Sequence, residues 1–175
     1  MTAPRWLLLL LLAGCASPPA GQPWIELFDG ETTRGWTATN FGGEGPVDVV
    51  DGALEFDFGS PMTGLTWTGP PPRGVYDLEV TAARIDGTDF FCGLTFPVDD
   101  AHLTLILGGW GGSLCGLSNL DGEDAAHNDS RTLFRFENDR DYRVLLRVRD
   151  DRVEVDLDGD LLLRAPITGD RKSVV

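Results

Sequence analysis

The chain has 175 residues, with 28 acidic and 14 basic side chains and a formal net charge of −14 at pH 7. An excess of negative charge on this scale repels nucleic acid and anionic lipid surfaces, and so excludes both as partners held by charge. Two histidines are too few for a histidine metal centre, and no segment shows the apolar period of a helix.

Residues 1–14 have the features of a signal peptide. Arg5 precedes an apolar run that is too short to span a bilayer as a helix. Leu12-Ala13-Gly14-Cys15 resembles the bacterial lipobox, and this resemblance implies cleavage before Cys15 and lipidation of its thiol. Residues 15–23 would then be the lipidated cysteine and a flexible tether. The alternative is an ordinary secretory signal in which the cysteine has no role.

A lipid anchor at Cys15 would place residues 24–175, the predicted domain, in the cell envelope. It would lie on the periplasmic or extracellular face, at the outer membrane where the cell has one. The lipid would be the chain's contact with the membrane, because the acidic domain itself is repelled by anionic headgroups.

The domain opens with Trp24–Thr37, WIELFDGETTRGWT, in which a predicted strand ends at Leu27-Phe28-Asp29-Gly30 and Gly35-Trp36 follows. Val49–Leu54 continues the pattern with an Asp-Gly turn, which favours a β-hairpin. In the strand that follows the turn, Leu54, Phe56 and Phe58 alternate with Glu55 and Asp57, so the apolar set should face the core and the acidic set should face solvent. These motifs resemble the entry to the 3-keto-disaccharide hydrolase-type domain family. The resemblance implies an all-β fold, the concanavalin-like antiparallel β-sandwich or jelly roll, and an activity on 3-keto-glycosides.

Residues 89–124 form the centre of the predicted domain, as three short strands joined by two tight connections. Apolar and polar residues alternate along the first two strands, so one set should face a core and the other should face outward. Pairing Phe96 with Leu103 leaves Val98–Ala101 as the hairpin loop and keeps both apolar sets on one face. The inward set is Phe90, Cys92, Leu94, Phe96, Leu103, Leu105 and Leu107, and the outward set is Asp89, Gly93, Thr95, His102 and Thr104.

Cys92 and Cys115 remain once Cys15 is assigned to the lipid. An extracytoplasmic site permits a disulfide between them. Pairing Leu107 with Leu114, however, places Cys115 on the face opposite to Cys92, although a shift of one residue reverses that result. We therefore expect two buried free thiols.

Residues 141–165 show the clearest alternation in the chain and predict a meander of three strands. In domains of this kind a last strand returns beside the first, near Ile25–Phe28. No such strand remains before Val175, so we expect a sandwich that lacks its last strand and a domain that is incomplete at its C-terminal end. The first strand would then have an unpaired edge.

Asp121–Arg131 is the densest polar segment. Asp121, Glu123 and Asp124 offer clustered carboxylate oxygens of the kind that bind Ca²⁺, although their spacing does not match an EF-hand loop. The alternative is a solvated loop without a metal. Asn128-Asp129-Ser130 matches a glycosylation sequon, which we discount in a chain with a bacterial lipobox.

The outward face of the central strands is the predicted carbohydrate site. Trp110 stands among four glycines at the rim, where an indole can stack on a sugar ring, and polar groups beside it can bond hydroxyls. The predicted contacts are Thr95, Thr104, Trp110 and Asn119. The alternative is a half-exposed sheet face with the tryptophan packed under a loop.

The chain has no nucleophile elbow, HExxH motif or phosphate loop. The family resemblance implies cleavage that begins with removal of the acidified C2 hydrogen of a 3-keto sugar. The candidate bases are Asp89, His102, Asp121 and Glu123. The alternative function is a non-catalytic glycan-binding or interaction module on the same sandwich.

Overall fold

The computed structural model describes residues 23–167 and, by backbone alone, residues 5–8. The rest of the predicted signal peptide, Cys15, the tether up to residue 22 and the chain past Ile167 lie outside the described residues. No described helix is long and apolar enough to cross a membrane. The elements are β1 Arg5–Leu8, β2 Trp36–Ala38, β3 Val47–Val50, β4 Ala53–Asp57, β5 Leu65–Trp67, β6 Tyr76–Ala82, β7 Cys92–Val98, β8 Ala101–Gly108, α1 Gly109–Gly112, β9 Leu114–Ser118, β10 Thr132–Leu133, β11 Tyr142–Val148, β12 Arg152–Leu157 and β13 Asp160–Pro166.

The described part of the chain divides into two compact units. One contains the chain up to Pro71 with Val80–Gly87 and Asn138–Tyr142, and the other contains Pro72–Glu79, Thr88–Glu137 and the chain from Arg143 onward.

The first unit contains two small antiparallel sheets, β1-β4-β3 and β2-β5. The Asp51-Gly52 turn predicted between β3 and β4 is confirmed, since both residues have the positive φ that a type I′ hairpin requires (50° and 82°). Glu55, predicted to face solvent, is buried because β4 is the central strand of its sheet. Phe58, predicted to face the core, is 62% exposed because it lies past the end of β4.

The strand predicted at Ile25–Phe28 is absent from the described structure, so the expectation of an unpaired edge there is wrong. The carbonyl of Leu27 instead accepts a hydrogen bond from the Trp36 indole at 2.7 Å. Phe28 is buried, so the segment is held by side-chain contacts rather than by a strand ladder.

The predicted sandwich-like arrangement of antiparallel sheets is present, in the orders β10-β9-β8-β7 and β13-β12-β11-β6. The second unit contains the first of these sheets and most of the other. Alternate residues of each sheet are buried, as two packed apolar faces require. The Tyr76 hydroxyl donates a hydrogen bond to the Pro97 carbonyl. The inward side chains include Phe96, Leu103, Leu105, Leu107, Leu117, Val144, Leu146, Val153 and Val155.

The predicted register of the central hairpin is confirmed: Phe96 pairs with Leu103. The loop is shorter than predicted, because Val98 and Ala101 also pair and leave Asp99-Asp100 as a two-residue turn. Leu103 and Leu105 are buried while His102 is exposed and Thr104 half-buried, so the predicted alternation holds.

Phe90 is an exception to that alternation. Its ring lies against the outward side of Gly93, where an added Cβ would stand 2.9 Å from the ring. Phe91 is buried in its place and stacks on Phe136 with ring centroids 4.1 Å apart. The predicted parity fails here because β7 begins only at Cys92.

The predicted pairing of Leu107 with Leu114 is wrong. Ile106 pairs with Gly116, which brings Leu107 opposite Cys115, and Leu114 bridges to Gly109 instead. Gly108, with φ 64°, is the extra residue that shifts the register, as a glycine bulge does.

Both described cysteines are free and buried, as predicted. Cys92 and Cys115 both stand opposite Leu107, so they lie on the same face of the sheet, and strand β8 separates them. Burial raises the pKa of the Cys92 thiol to about 12, and burial also raises the pKa of Cys115.

The predicted meander is confirmed as β11, β12 and β13, with an Asp158-Gly159 turn in which both residues have positive φ. Charged side chains on its polar face form ion pairs across strands. Arg143 makes a bidentate contact with Glu79, and Glu154 pairs with Arg164 directly opposite.

Candidate functional site

Two of the predicted contact residues, Thr95 and Thr104, share one face of the sheet β7-β8-β9. The register aligns Thr95 with Thr104 and Thr104 with Ser118, so three hydroxyl side chains form a row across three strands. The hydroxyl oxygens of Thr95 and Thr104 are 3.0 Å apart. Sequence reasoning missed Ser118, because the row appears only once the β8–β9 register is known.

Glycines form the next row of this face, Gly93 and Gly116 on either side of Ile106. The Phe90 ring covers Gly93, and the Ala125 carbonyl lies 3.0 Å from the position of a Cβ on Gly116. The glycine row is therefore covered by an aromatic ring at Gly93 and by the loop that contains Ala125 at Gly116.

Trp110 stands in the turn that joins β8 to β9. Its indole is 55% exposed, so the alternative in which it packs under a loop is excluded. Its backbone is left-handed, with φ 47° and ψ 55°, and Gly111 follows with φ 89° and ψ 25°. A bulky residue in this conformation is strained, and such strain persists where the surrounding structure holds it.

Two contacts hold this turn in place. The Asp89 carboxylate accepts a hydrogen bond from the Gly111 amide at 2.9 Å. Gly112 packs so closely on the backbone of Thr88 that an added Cβ would lie 2.0 Å from the Thr88 carbonyl oxygen. Asp89 thus positions the turn that carries the exposed tryptophan.

The opposite end of the face contains the other predicted residues. His102 is exposed and pairs with Pro97, and a tight Asp121-Gly122 turn between Leu120 and Glu123 follows β9. The carbonyl of Glu123 accepts a hydrogen bond from the Asn119 amide at 2.9 Å. Asp121 and Glu123 are exposed, while Asn119 is half-buried and has φ 68°.

The structure separates the predicted bases into two groups. Asp89 lies beside Trp110 at one end of the face, and His102 lies with Asp121 and Glu123 at the other. The Asp89 end of the face lies next to Cys92, and the His102 end lies at Pro97. The part of β7 from Cys92 to Pro97 spans about 16 Å. Asp89 and His102 therefore do not act together on one bond.

An acid–base pair that the sequence did not suggest lies in the polar loop. The ring Nδ1 of His127 lies 2.7 Å from the Asp124 carboxylate, and this hydrogen bond lowers the pKa of Asp124. A histidine held in this way can accept a proton at its other ring nitrogen. The sequence feature that could have indicated this pair is the spacing of three residues between Asp124 and His127.

Asn128 and Ser130 of the sequon-like triplet have a structural role. The Asn128 amide donates to the Leu117 carbonyl at 2.7 Å, and the Leu117 amide donates to the Ser130 hydroxyl at 2.8 Å. Strand β10 pairs with β9 only at Leu114 and Cys115. The side chains of Asn128 and Ser130 therefore form the hydrogen bonds to Leu117 that a longer neighbouring strand would form.

No described group of three or more histidine, cysteine, aspartate or glutamate side chains is arranged to hold a metal ion. Asp121, Glu123 and Asp124 are exposed and follow a tight turn. Asp124 is engaged with His127 and with the Ala126 amide. The calcium site therefore remains a prediction from composition.

The opening motif, which carries the family resemblance, also has a structural role. Asp29 accepts hydrogen bonds from the amides of Glu31 and Thr32. These backbone bonds lower the pKa of Asp29 to about 2. Gly35 lies under the Trp67 ring, where a Cβ would stand 2.4 Å from the ring edge.

Comparison with known proteins gave no match among family models, curated proteins or solved structures. The fold defines the class: an all-β protein whose antiparallel sheets form a sandwich-like arrangement. The resemblance of the opening motif to the 3-keto-disaccharide hydrolase-type family remains a prediction.

Proposed function

We propose that this chain is a glycan-binding module that uses the outward face of β7-β8-β9. In this proposal the fold is of the concanavalin-like jelly-roll type, and lipidation at Cys15 tethers the domain in the cell envelope. The sequence motif supports the anchor, and the exposed face of the central sheet supports the binding function.

The observation that carries the proposal is the exposed Trp110. A left-handed backbone ordinarily selects glycine and disfavours a bulky side chain. Here the chain keeps a tryptophan in that conformation and fixes it with Asp89 and Gly112. An exposed indole on a turn that is already held in place stacks on a flat sugar ring at little cost in backbone entropy.

The hydroxyl row supplies the polar contacts that a sugar needs. Thr95 and Thr104 present donors and acceptors on a sheet, a rigid element that positions them well. The Ser118 hydroxyl oxygen accepts a hydrogen bond from the Ala125 amide at 3.1 Å, so what Ser118 can offer a sugar is its own hydroxyl proton. Because the face extends for about 16 Å from the Trp110 end to the His102 end, it suits an oligosaccharide better than a single sugar ring.

The spread of the candidate bases supports binding over cleavage. Asp89 is committed to the Gly111 amide, and His102 stands at the other end of the face. General acid–base chemistry needs both groups within hydrogen-bond reach of one substrate bond. Asp89 is therefore assigned a positioning role rather than a catalytic one.

Calorimetric titration of the full chain with a panel of neutral and amino-sugar oligosaccharides tests the proposal. Trp110→Ala should weaken binding at least about fivefold, because loss of one aromatic stack removes about 1–3 kcal/mol. Trp24→Ala, a change at another exposed tryptophan, is the matched control and should leave binding intact. Equal affinity in the two variants would contradict the proposal.

Cleavage of a 3-keto-glycoside is a second candidate, and the Asp124–His127 pair is the observation that favours it. A carboxylate-held imidazole suits removal of an acidified C2 hydrogen. Turnover of a 3-keto-glucoside that disappears in His127→Ala, but persists in His102→Ala, would establish this activity. Absence of turnover in the unmodified chain would exclude it.

A further inference from the structure

The segment that builds the candidate face has an unusual charge distribution. Residues 85–130 contain no lysine and no arginine. The same segment contains eight acidic side chains, at Asp86, Asp89, Asp99, Asp100, Asp121, Glu123, Asp124 and Asp129.

The basic residues of the second unit lie mainly on the other sheet. On the polar side of the sheet β13-β12-β11-β6, each of five arginines pairs with a carboxylate, so that side is close to neutral. The ion pairs are Arg143–Glu79, Arg147–Asp156, Arg149–Asp77, Arg152–Glu154 and Arg164–Glu154.

Three carboxylates near the His102 end have no such compensation. Asp100 lies in the β7–β8 turn, and Asp121 and Glu123 lie in the turn after β9. The register carries both turns to the same end of the sheet, because Thr104 pairs with Ser118 and His102 with Pro97. Within residues 23–167, none of the three carboxylates forms an ion pair.

We propose that the ligand of this face is a glycan with protonated amino groups, such as an oligomer of glucosamine. This inference rests on the proposed function. Trp110 stacks on one ring at its end of the face, while the carboxylates of Asp100, Asp121 and Glu123 attract ammonium groups at the other. Glycans that carry carboxylates or sulfates are repelled by the same charges.

The charges select among sugars and do not by themselves make the site. The stacking platform and the hydroxyl row bind neutral and cationic oligomers alike, and the acidic end adds to the affinity of the cationic ones. Three exposed charge pairs contribute about two- to threefold each, so the expected preference is about tenfold in low salt. Raising the salt concentration should reduce this preference, because exposed charges are screened.

The experiment compares glucosamine, N-acetylglucosamine and galacturonate oligomers of equal length by calorimetric titration of the full chain. The triple variant Asp100→Asn, Asp121→Asn, Glu123→Gln should lose the preference for glucosamine and keep its affinity for the neutral oligomer. Asparagine tolerates the left-handed conformation at position 121, so the turn is retained. The matched control is Asp48→Asn, Asp160→Asn, Glu31→Gln, which makes the same charge change outside this sheet.

Three outcomes overturn the inference. Equal binding of neutral and cationic oligomers would refute it and leave the proposed function intact. Glucosamine binding that is unchanged in Trp110→Ala would show adsorption to negative charge away from the proposed site. Failure of every oligomer to bind would refute the inference and the proposed function together.

Discussion

The Asp89 carboxylate accepts a hydrogen bond from the backbone amide of Gly111, at 2.9 Å, across a gap of 22 residues in sequence. This contact ties the start of the central sheet to the turn that presents Trp110. An acidic residue that the sequence suggested as a catalytic base thereby becomes a support for the aromatic platform.

Replacing Asp89 with alanine should lower glycan affinity about tenfold, because the turn loses an anchor and Trp110 loses its fixed position. Asp89→Asn keeps an acceptor oxygen and should stay within about threefold of the unmodified chain. Calorimetric titration of both variants measures the difference. If Asn and Ala at position 89 are equally damaging, the carboxylate acts on the ligand and not on the turn.

Gly112→Ala should destabilise the fold by at least about 2 kcal/mol, because the new Cβ meets the Thr88 carbonyl and φ is 90°. Gly111→Ala is the matched control, since φ is 89° there but the Cβ would meet open space. It should cost about 1 kcal/mol from backbone strain alone. Urea unfolding gives both values, and equal costs would show that the close approach to Thr88 is unimportant.

Asn128→Ala and Ser130→Ala should each destabilise the protein by about 1–3 kcal/mol, because either change leaves a Leu117 backbone group unpaired. Asp129→Ala, between them and exposed, should change stability by less than about 0.5 kcal/mol. Thermal unfolding of the three variants provides the comparison. Equal stabilities of the three alanine variants would mean that the loop does not stabilise the edge of β9.

The lowered pKa of Asp29 predicts that the free energy of unfolding depends on pH in the acidic range. Its folded pKa is about 2, below the ordinary value of 3.8, because the backbone amides of Thr32 and Glu31 stabilise the charged form. A lowered folded pKa contributes stability that is present above pH 3.8 and is lost as pH falls toward 2. The difference in unfolding free energy between the unmodified chain and Asp29→Ala should therefore shrink across this window. A difference that stays constant from pH 7 to pH 2 would contradict the assignment.

The sequence predicted those parts of the fold that depend on local period and turn chemistry. Alternation placed Leu103 and Leu105 inside and His102 outside, and the Asp-Gly pairs marked hairpin turns. These features are local because side chains alternate at every residue of a strand and because type I′ turns select a few residue types.

The sequence failed where one residue changes a register or a side chain replaces a strand. Gly108 inserts a bulge that moves Cys115 to the core side, and no pattern in the letters distinguishes it from the glycines beside it. Asn128 and Ser130 complete the ladder of β9 from a loop that composition marks only as polar. The hydroxyl row depends on the β8–β9 register, so Ser118 could be placed beside Thr104 only in the folded chain.

The central claim is that one face of β7-β8-β9 binds the glycan. Nuclear magnetic resonance titration with an amino-sugar oligomer tests it most directly, because each backbone amide and the Trp110 indole report separately. We predict the largest shift changes at Thr95, Thr104, Trp110 and Ser118, saturating together with one dissociation constant. Shift changes concentrated instead on β12 and β13, with the Trp110 indole unmoved, would contradict the account.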